Sequence, residues 1–165
     1  AATTDGVELF VKDAPITDNN FVFLAKEGYY DGIKFHRVIS NFMVQGGGFT
    51  TAMTEKESGE PIVNESRNKL HNIRGTIAMA RTSEPDSATA QFFINQRSNL
   101  QLDWAPGKEG YTVFGEVEKG MGVVDFIATA DTDTGLMVTN AGQRPFQDVP
   151  VEAIVIKKVV RIPGK

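Results

Sequence analysis

Short apolar runs, separated by glycine and polar turn residues, dominate the chain. Runs of this kind are typical of strands in a β-sandwich or a β-barrel. The pattern predicts seven strands, over residues 7–11, 34–38, 43–46, 76–80, 92–95, 112–117 and 153–162. The last run is apolar on both faces over residues 153–156, so we expect it to lie centrally in a sheet or to be covered by other elements.

Two further segments have helical periodicity. Thr17 is the predicted N-cap of the first helix, and Gly28 is placed to end it. The second helix is predicted to follow Gly120. Since no internal repeat or low-complexity linker interrupts the pattern, we expect a single domain over residues 1–165. The apolar residues on which the two helices are predicted are Phe21, Leu24 and Ala25 in the first, and Met121, Val124, Ile127 and Ala128 in the second.

The segment from residue 35 to residue 50 carries one arginine and one glutamine among apolar and aromatic residues, and contains three consecutive glycines. If the chain is extended here, alternation places Arg37 opposite His36 and Val38. Met43 and Gln45 then share a face. An arginine beside so much apolar surface must face something that it can bind, so Arg37 is a candidate functional residue. His36, on the other face, is predicted to be a buried, hydrogen-bonded histidine rather than an acid or a base.

The segment from residue 90 to residue 95 repeats this arrangement. Gln91, Phe93 and Asn95 fall on one face of an extended chain, and Phe92 and Ile94 fall on the other. Two strands that are apolar on both faces and carry isolated polar side chains on one face predict an apolar groove with a few aimed hydrogen-bonding groups. Small-molecule and peptide sites are usually built in this way.

Composition restricts the class of function without choosing one. Hydrophobic residues make up 41% and charged residues 23% of the chain, which are ordinary values for a globular protein. The 17 basic and 21 acidic residues give a net charge of −4, which argues against a nucleic-acid partner. The absence of cysteine excludes disulfides and thiolate chemistry. Two histidines with no carboxylate at ligand spacing argue against a metal site, and no apolar stretch reaches the length of a membrane span.

Several long motifs in order carry a family resemblance. They are residues 35–50, 74–82 and 91–95, followed by Val113-Phe114-Gly115. Together they resemble the cyclophilins, which are peptidyl-prolyl cis-trans isomerases, and are most similar to the bacterial branch. The likeness extends from about Val7 to about Val160. It implies a mainly β fold, an eight-stranded antiparallel cyclophilin-like barrel capped by two α-helices.

Two expectations concern the start of the chain. The family opens with a strand and a turn before the segment matched here by residues 7–10, and only residues 1–6 are available for that strand. We therefore expect a first strand that is short or missing. The chain begins at Ala1 rather than at methionine, which is the pattern of a processed or trimmed product. The residues do not distinguish a bacterial cytoplasm from a periplasm.

The resemblance implies rotation about Xaa–Pro bonds in folding or unfolded polypeptides. The barrier to this rotation is about 18–20 kcal/mol, and no bond is made or broken, so neither a nucleophile nor a metal or cofactor is needed. The site must favour the twisted amide, whose nitrogen has regained a basic lone pair. A permanently charged donor aimed at that nitrogen stabilises the twisted state alone. The match with the family assigns this role to Arg37 and makes Gln45 the second catalytic residue.

The other positions that match the family's site are expected to bind the substrate. Gln45 and Gln91 would hold the peptide backbone, and Ala80 and Arg81 would lie at the rim beside neighbouring substrate residues. The proline ring needs an apolar slot. The residues predicted for that slot are Phe42, Met43, Phe93 and Leu102.

Two of the substrate-binding positions depart from the family. Gln101 stands where cyclosporin-sensitive cyclophilins have a tryptophan, and Tyr111 stands where they have a histidine. Tyr111 still offers a flat apolar wall with a hydroxyl at its tip, whereas Gln101 cannot replace an indole. We therefore expect cyclosporin to bind weakly. Trp104 is near enough in sequence to fold back, and the sequence leaves open whether it replaces the indole.

A second function stays open beside the isomerase, namely a non-catalytic proline-peptide-binding module or holdase chaperone. Loss of the arginine would mark such a module, so the presence of Arg37 favours the enzyme. The expected partners are proline-containing peptides and unfolded or nascent proteins, with no nucleic acid and no membrane, and the chain is expected to be a monomer. The three glycines at 46–48 lack the spacing of a phosphate-binding loop, so close backbone packing or a tight turn explains them better.

Overall fold

The structure, a computed structural model, describes residues 5–162. These residues form a six-stranded sheet in the order β1-β6-β4-β5-β3-β2 and a β7-β8 hairpin, and each strand is antiparallel to its neighbours. The predicted mainly β fold with eight antiparallel strands and two helices is confirmed. The elements are β1 (Gly6–Leu9), α1 (Pro15–Lys26), β2 (Ile33–Ile39), β3 (Met43–Thr50), β4 (Thr76–Met79), β5 (Phe92–Asn95), β6 (Val113–Lys119), α2 (Met121–Ile127), β7 (Thr132–Thr139) and β8 (Gly142–Pro150).

The main hydrophobic core, which we call the inner core, lies between one face of the six-stranded sheet and both helices. Phe92 and Ile94 contribute to it from β5, as the alternation in that strand predicted. Helix α1 contributes Phe21 and Leu24, and α2 contributes Val124. Because both helices bury their apolar sides here, the opposite face of the sheet is left for a separate cluster of residues.

None of the helices in the described part of the chain is long and apolar enough to cross a membrane.

Helix α1 begins differently from the prediction. Its N-cap is Ala14, and Thr17 lies inside the first turn with none of its surface exposed, so Thr17 is not the cap. The Glu65 carboxylate accepts hydrogen bonds from the backbone N–H groups of Ile16 (3.2 Å) and Thr17 (2.7 Å) and from the Thr17 hydroxyl (2.7 Å). A carboxylate from another part of the chain therefore satisfies these unpaired N–H groups and complements the helix dipole. The predicted end is confirmed, since Gly28, with φ of +71°, follows the C-cap residue Glu27.

The C-terminal third of the chain also corrects the prediction. Residues 153–162 are not a regular strand. They make one antiparallel bridge, between Val155 and Lys34, and the segment is largely exposed. Hydrogen bonds from the Phe35 N–H to the Ile154 carbonyl (2.9 Å) and from the Ile156 N–H to the Ile33 carbonyl (2.8 Å) hold it along β2. The seventh and eighth strands are instead the β7-β8 hairpin, whose polar, exposed sequence has little of the apolar pattern from which strands are predicted.

Strand β1 occupies most of the segment that matched the family near the start of the chain. The expectation of a short or missing strand before it falls mainly on residues 1–4, which lie outside the described residues.

Candidate active site

One row of residues crosses four adjacent strands of the six-stranded sheet. The register pairs Arg37 on β2 with Gln45 on β3, Gln45 with Phe93 on β5, and Phe93 with Ala78 on β4. Directly opposed residues of neighbouring strands project from the same face of a sheet. The two motif segments therefore lie side by side, with Gln45 of the first directly opposite Phe93 of the second.

The apolar residues around this row form a cluster distinct from the inner core, which we call the outer cluster. Its buried members include Met43 and Phe93, which are 2% and 3% exposed. The Tyr111 ring meets the Phe93 ring edge-on, with 5.8 Å between centroids. All four residues predicted for the apolar slot belong to this cluster. The predicted site residues in or packed against it are Phe42, Met43, Ala80, Phe93, Leu102 and Tyr111.

A chain of side-chain hydrogen bonds runs beside the outer cluster. Nη1 of Arg37 donates to Oε1 of Gln45 over 3.3 Å, and Nε2 of Gln45 donates to Oε1 of Gln91 over 2.9 Å. All three side chains are half-buried. Each amide is held in a defined orientation by its neighbour, and the other N–H groups of Arg37 have no partner within residues 5–162. The arrangement thus presents a restrained positive charge beside the apolar outer cluster.

Two bulges in the pairing of β2 with β3 lead up to Arg37. The first places extra residues of β3 between the Ile33–Thr50 and Phe35–Gly46 pairs, and the second makes His36 an extra residue in β2. Because of the second bulge, Phe35 and Val38 both pack on the inner core although they are three residues apart. Simple alternation, on which the sequence prediction relied, is therefore interrupted within this segment. Bulges are common next to active sites, where they re-aim a side chain.

The glycine segment makes room for this arrangement. Gly47 has φ of +96°, in the region that favours glycine, and its carbonyl accepts a hydrogen bond from the Tyr29 hydroxyl over 3.0 Å. A Cβ atom on Gly48 would lie 2.5 Å from both Cδ and Nε2 of Gln91. Gly48 therefore leaves the space that the Gln91 side chain occupies. This agrees with the interpretation that close packing, rather than phosphate binding, requires the glycines.

His36 is fully buried against the rings of Phe49 and Phe146, at centroid distances of 4.6 and 5.6 Å. Burial lowers the pKa of His36 to about 4, and the positive charges of Arg37 and Lys34 act in the same direction. The predicted burial is confirmed. Neither ring nitrogen lies in hydrogen-bond geometry with a described residue, so the predicted hydrogen bond is not formed there, although the nearby Gln91 side chain acts against burial and raises the pKa of His36.

Gln101 and Trp104 are close in sequence to Leu102, which packs on the outer cluster. Gln101 is exposed in a short 3-10 helix, Leu100–Leu102, and its carbonyl accepts a hydrogen bond from the Lys108 ammonium group. Trp104 lines a small depression of about 260 Å³ together with His71 and Asp103. Among the described residues, Trp104 is not one of those packed on the outer cluster. In this structure the indole therefore does not fold back into the position of the missing tryptophan.

Arg81 stacks on Tyr111, with the guanidinium carbon 4.5 Å from the ring centroid.

The sequence did not predict the residues that hold the backbone before Tyr111. Nδ2 of Asn64 donates to the Gly110 carbonyl over 2.9 Å, and the Gly110 N–H donates to Oγ of Ser66 over 3.0 Å. These partners are more than forty residues apart in sequence, and no local pattern identifies them.

Comparison with known proteins gives a consistent result. Residues 6–160 match the sequence model of the family described as "Cyclophilin type peptidyl-prolyl cis-trans isomerase/CLD". A peptidyl-prolyl cis-trans isomerase of Acinetobacter baylyi is 51% identical over 146 residues, which are 88% of this chain and 78% of that protein. Peptidyl-prolyl cis-trans isomerase B of Escherichia coli is 46% identical over 157 residues, 93% of this chain and 90% of that one.

A solved structure is similar along nearly the whole chain. It is a crystal structure of a cyclophilin-type peptidyl-prolyl cis-trans isomerase of Cryptosporidium parvum in the presence of the dipeptide Ala-Pro. Its TM-score is 0.76 at 26% identity, and the match covers 97% of this chain and 93% of that chain.

Proposed function

The chain belongs to the cyclophilin-type peptidyl-prolyl cis-trans isomerases, and we propose that its isomerase activity comes from Arg37, acting on an Xaa–Pro amide whose proline ring lies in the outer cluster. One observation carries the proposal: Arg37, Gln45 and Phe93 are successive partners across three strands. The backbones of Arg37 and Phe93 are thereby about two strand spacings, or about 10 Å, apart. The long Arg37 side chain can reach across that distance towards a proline ring packed on Phe93.

Substrate binding is assigned to the apolar slot and the two glutamines. The proline ring removes apolar surface from water when it packs against Phe93 and Met43, which supplies affinity without depending on the twist of the bond. Gln45 and Gln91 hold polar groups of the peptide backbone on one side of the bond while the other side turns. The similar structure determined with Ala-Pro supports proline-containing peptides as ligands of this chain.

Turnover is assigned to Arg37. Uncatalysed exchange takes tens of seconds or longer, so reaching about 10³ s⁻¹ requires roughly 10⁵-fold acceleration, or about 7 kcal/mol. In the planar amide the nitrogen lone pair is delocalised into the carbonyl. It becomes a hydrogen-bond acceptor only when the bond twists, so a guanidinium N–H aimed at that nitrogen stabilises the transition state more than either ground state. The bond to Gln45 restrains the guanidinium before substrate arrives, which lowers the cost of reorganisation.

The clients and assembly state are also proposals. The chain acts as a monomeric single domain, and its substrates are proline-containing segments of unfolded or nascent proteins. A non-catalytic proline-peptide module or holdase would use the same slot, but it would not need a cation held beside it. The presence of Arg37 in register with Gln45 is the observation that favours catalysis.

The test compares the unmodified chain with Arg37→Ala in protease-coupled isomerisation of an Xaa–Pro peptide, together with titration of the same peptide. Turnover should fall by about 10²- to 10³-fold, or about 3–4 kcal/mol, as on removal of one preorganised donor. Peptide affinity should change much less, because the apolar slot remains. Arg97→Ala is the matched control, since Arg97 is exposed and, within residues 5–162, its side chain bonds only to the adjacent Ser98 carbonyl. Equal losses of affinity and turnover would mean that Arg37 merely holds the substrate.

A further inference from the structure

We propose that Arg81 is a positioning residue, which clamps the backbone at residues 109–110 and holds the Tyr111 ring in place as a wall of the proline slot. The inference rests on the proposed function of the outer cluster and refines the expected role of Arg81 at its rim. Arg81 would act through Tyr111 rather than by binding the substrate's own groups.

The hydrogen bonds of the guanidinium group support this role. Nε and Nη2 of Arg81 both donate to the Gly110 carbonyl, over 3.3 and 3.2 Å. Nη2 also donates to the Glu109 carbonyl over 3.1 Å, and Nη1 donates to the Thr82 carbonyl over 2.8 Å. A guanidinium group has five N–H donors, so these four contacts leave one N–H free for any other partner. A residue whose purpose was to bind the substrate would keep more of its donors available.

The face of the guanidinium group is also occupied. It stacks on one side of Tyr111 at 4.5 Å from the ring centroid, while the edge-on contact with Phe93 fixes the same ring against the outer cluster. Stacking and forked donation together require a planar, delocalised cation, which lysine does not provide. The Tyr111 ring is therefore restrained both by Arg81 and by Phe93, a residue of the proposed slot.

The backbone at Gly110 is closely enclosed, so a clamp on it fixes where Tyr111 begins. A Cβ atom on Gly110 would lie 2.3 Å from the backbone nitrogen of Trp104 and 2.9 Å from the Leu102 carbonyl oxygen. The Tyr111 N–H in turn donates to that same Leu102 carbonyl over 2.9 Å. Fixing Gly110 therefore also fixes the relation between Tyr111 and Leu102, which are both packed on the outer cluster.

The first experiment measures peptide affinity and turnover for Arg81→Ala and Arg81→Lys. Arg67→Ala is the matched control. Arg67 lies at the surface and donates to the carboxylate of Glu109, in the same segment, over 2.9 Å. Within residues 5–162 it makes no hydrogen bond or stacking contact with Tyr111. Arg81→Ala should weaken peptide binding about tenfold, as expected for loss of a partly buried cation–π contact and its hydrogen bonds. Turnover at saturating peptide should stay within about threefold, since Arg37 is untouched. Arg81→Lys should not restore affinity, and Arg67→Ala should bind like the unmodified chain.

A double-mutant cycle separates action through Tyr111 from direct contact with the substrate. Tyr111→Leu keeps an apolar side chain but removes the ring face on which Arg81 stacks. If Arg81 acts through that ring, adding Arg81→Ala to Tyr111→Leu should weaken peptide binding by less than about twofold more. A full further tenfold loss in the double variant would overturn the proposal, and so would unchanged affinity in Arg81→Ala alone.

A measurement without substrate keeps this inference separate from the proposed function. The side-chain protons of Arg81, in particular Hδ and Hε, should resonate upfield of exposed arginines because they lie over the Tyr111 ring, and Tyr111→Leu should abolish the shift. Absence of the shift in the folded chain would overturn the Arg81–Tyr111 contact even if isomerase activity were present. If the upfield shift is present but the protein has no isomerase activity, the proposed function is overturned and the Arg81–Tyr111 contact is not.

Discussion

Gly48→Ala is the substitution that most directly tests whether the Arg37–Gln45–Gln91 chain matters for catalysis. The added methyl carbon would lie 2.5 Å from Cδ and Nε2 of Gln91. That is about 1 Å inside normal carbon contact distance, so one group must move. The obstructing atoms are at the end of a flexible side chain, whereas no backbone atom is among the nearest three. Gln91 should therefore swing away while the strands stay in place.

The energetic consequence follows from the bond that Gln91 makes. When Gln91 moves, the 2.9 Å bond from Nε2 of Gln45 is lost, and Gln45 no longer orients Arg37 as well. Loss of one such hydrogen bond costs about 0.5–1.5 kcal/mol, which is the expected decrease in the free energy of unfolding. Turnover should fall about tenfold, less than on removal of Arg37 itself, because the cation remains but is less well oriented.

The assay is protease-coupled isomerisation, with the free energy of unfolding measured by chemical denaturation. Gly59→Ala is the matched control, since no atom of the described residues lies within 4 Å of a Cβ atom there and its φ is not positive. It should leave turnover unchanged. In a second cycle, Gly48→Ala added to Gln91→Ala should cause no further loss, because the side chain that obstructs the methyl group is gone.

Two outcomes would refute the reasoning. If Gly48→Ala displaces Gln91, as seen in a crystal structure, and turnover is unchanged, the hydrogen-bond chain does not orient Arg37 for catalysis. If the double variant is much less active than Gln91→Ala alone, the effect of the methyl group passes through the backbone of β3 rather than through Gln91.

Two further predictions concern pH and inhibition. The pKa of His36 is lowered to about 4, so between pH 6.5 and pH 4 the unfolded chain binds a proton that the folded chain does not. His36 should therefore reduce the free energy of unfolding by up to about 3 kcal/mol as the pH falls through that window. Denaturation of His36→Phe should show this part of the pH dependence removed, and an unchanged slope would contradict it. Cyclosporin should bind about tenfold to a thousandfold more weakly than to a cyclophilin with tryptophan at position 101, through loss of apolar contact and one donor. Gln101→Trp should recover part of the affinity on titration, and tight binding to the unmodified chain would show that Trp104 moves into the site.

The local patterns of the sequence predicted the central part of the sheet well. Strand β5 has the predicted bounds, and its alternation placed Phe92 and Ile94 on the inner core with Phe93 on the other side. Such agreement is expected where both faces of a strand are buried in distinct clusters, because a shift of one residue would move every side chain to the wrong cluster. Prediction was weakest in the hairpin β7-β8, where exposed polar residues carry little periodic signal.

Contacts between distant parts of the chain account for the errors. Thr17 satisfies the usual residue preference for an N-cap, yet Glu65 performs the capping from 48 residues away in sequence. His36 and Arg37 follow an alternating pattern that a bulge interrupts, and the bulge exists only in the pairing of β2 with β3. A residue preference or a period describes one segment, whereas a cap or a register shift depends on which other segment lies beside it.

The sequence by itself therefore determined the family, the class of reaction and the set of residues that could form the site, because these depend on residue types in a characteristic order. Only the tertiary structure decided that Gln91 occupies the space left by Gly48, that Arg81 donates hydrogen bonds to the backbone before Tyr111, and that Trp104 is not packed on the outer cluster. Each of these is a packing relation between segments far apart along the chain. The physical reason is that close packing and hydrogen-bond geometry depend on distances of a few tenths of an ångström between such segments, and no local pattern specifies those distances.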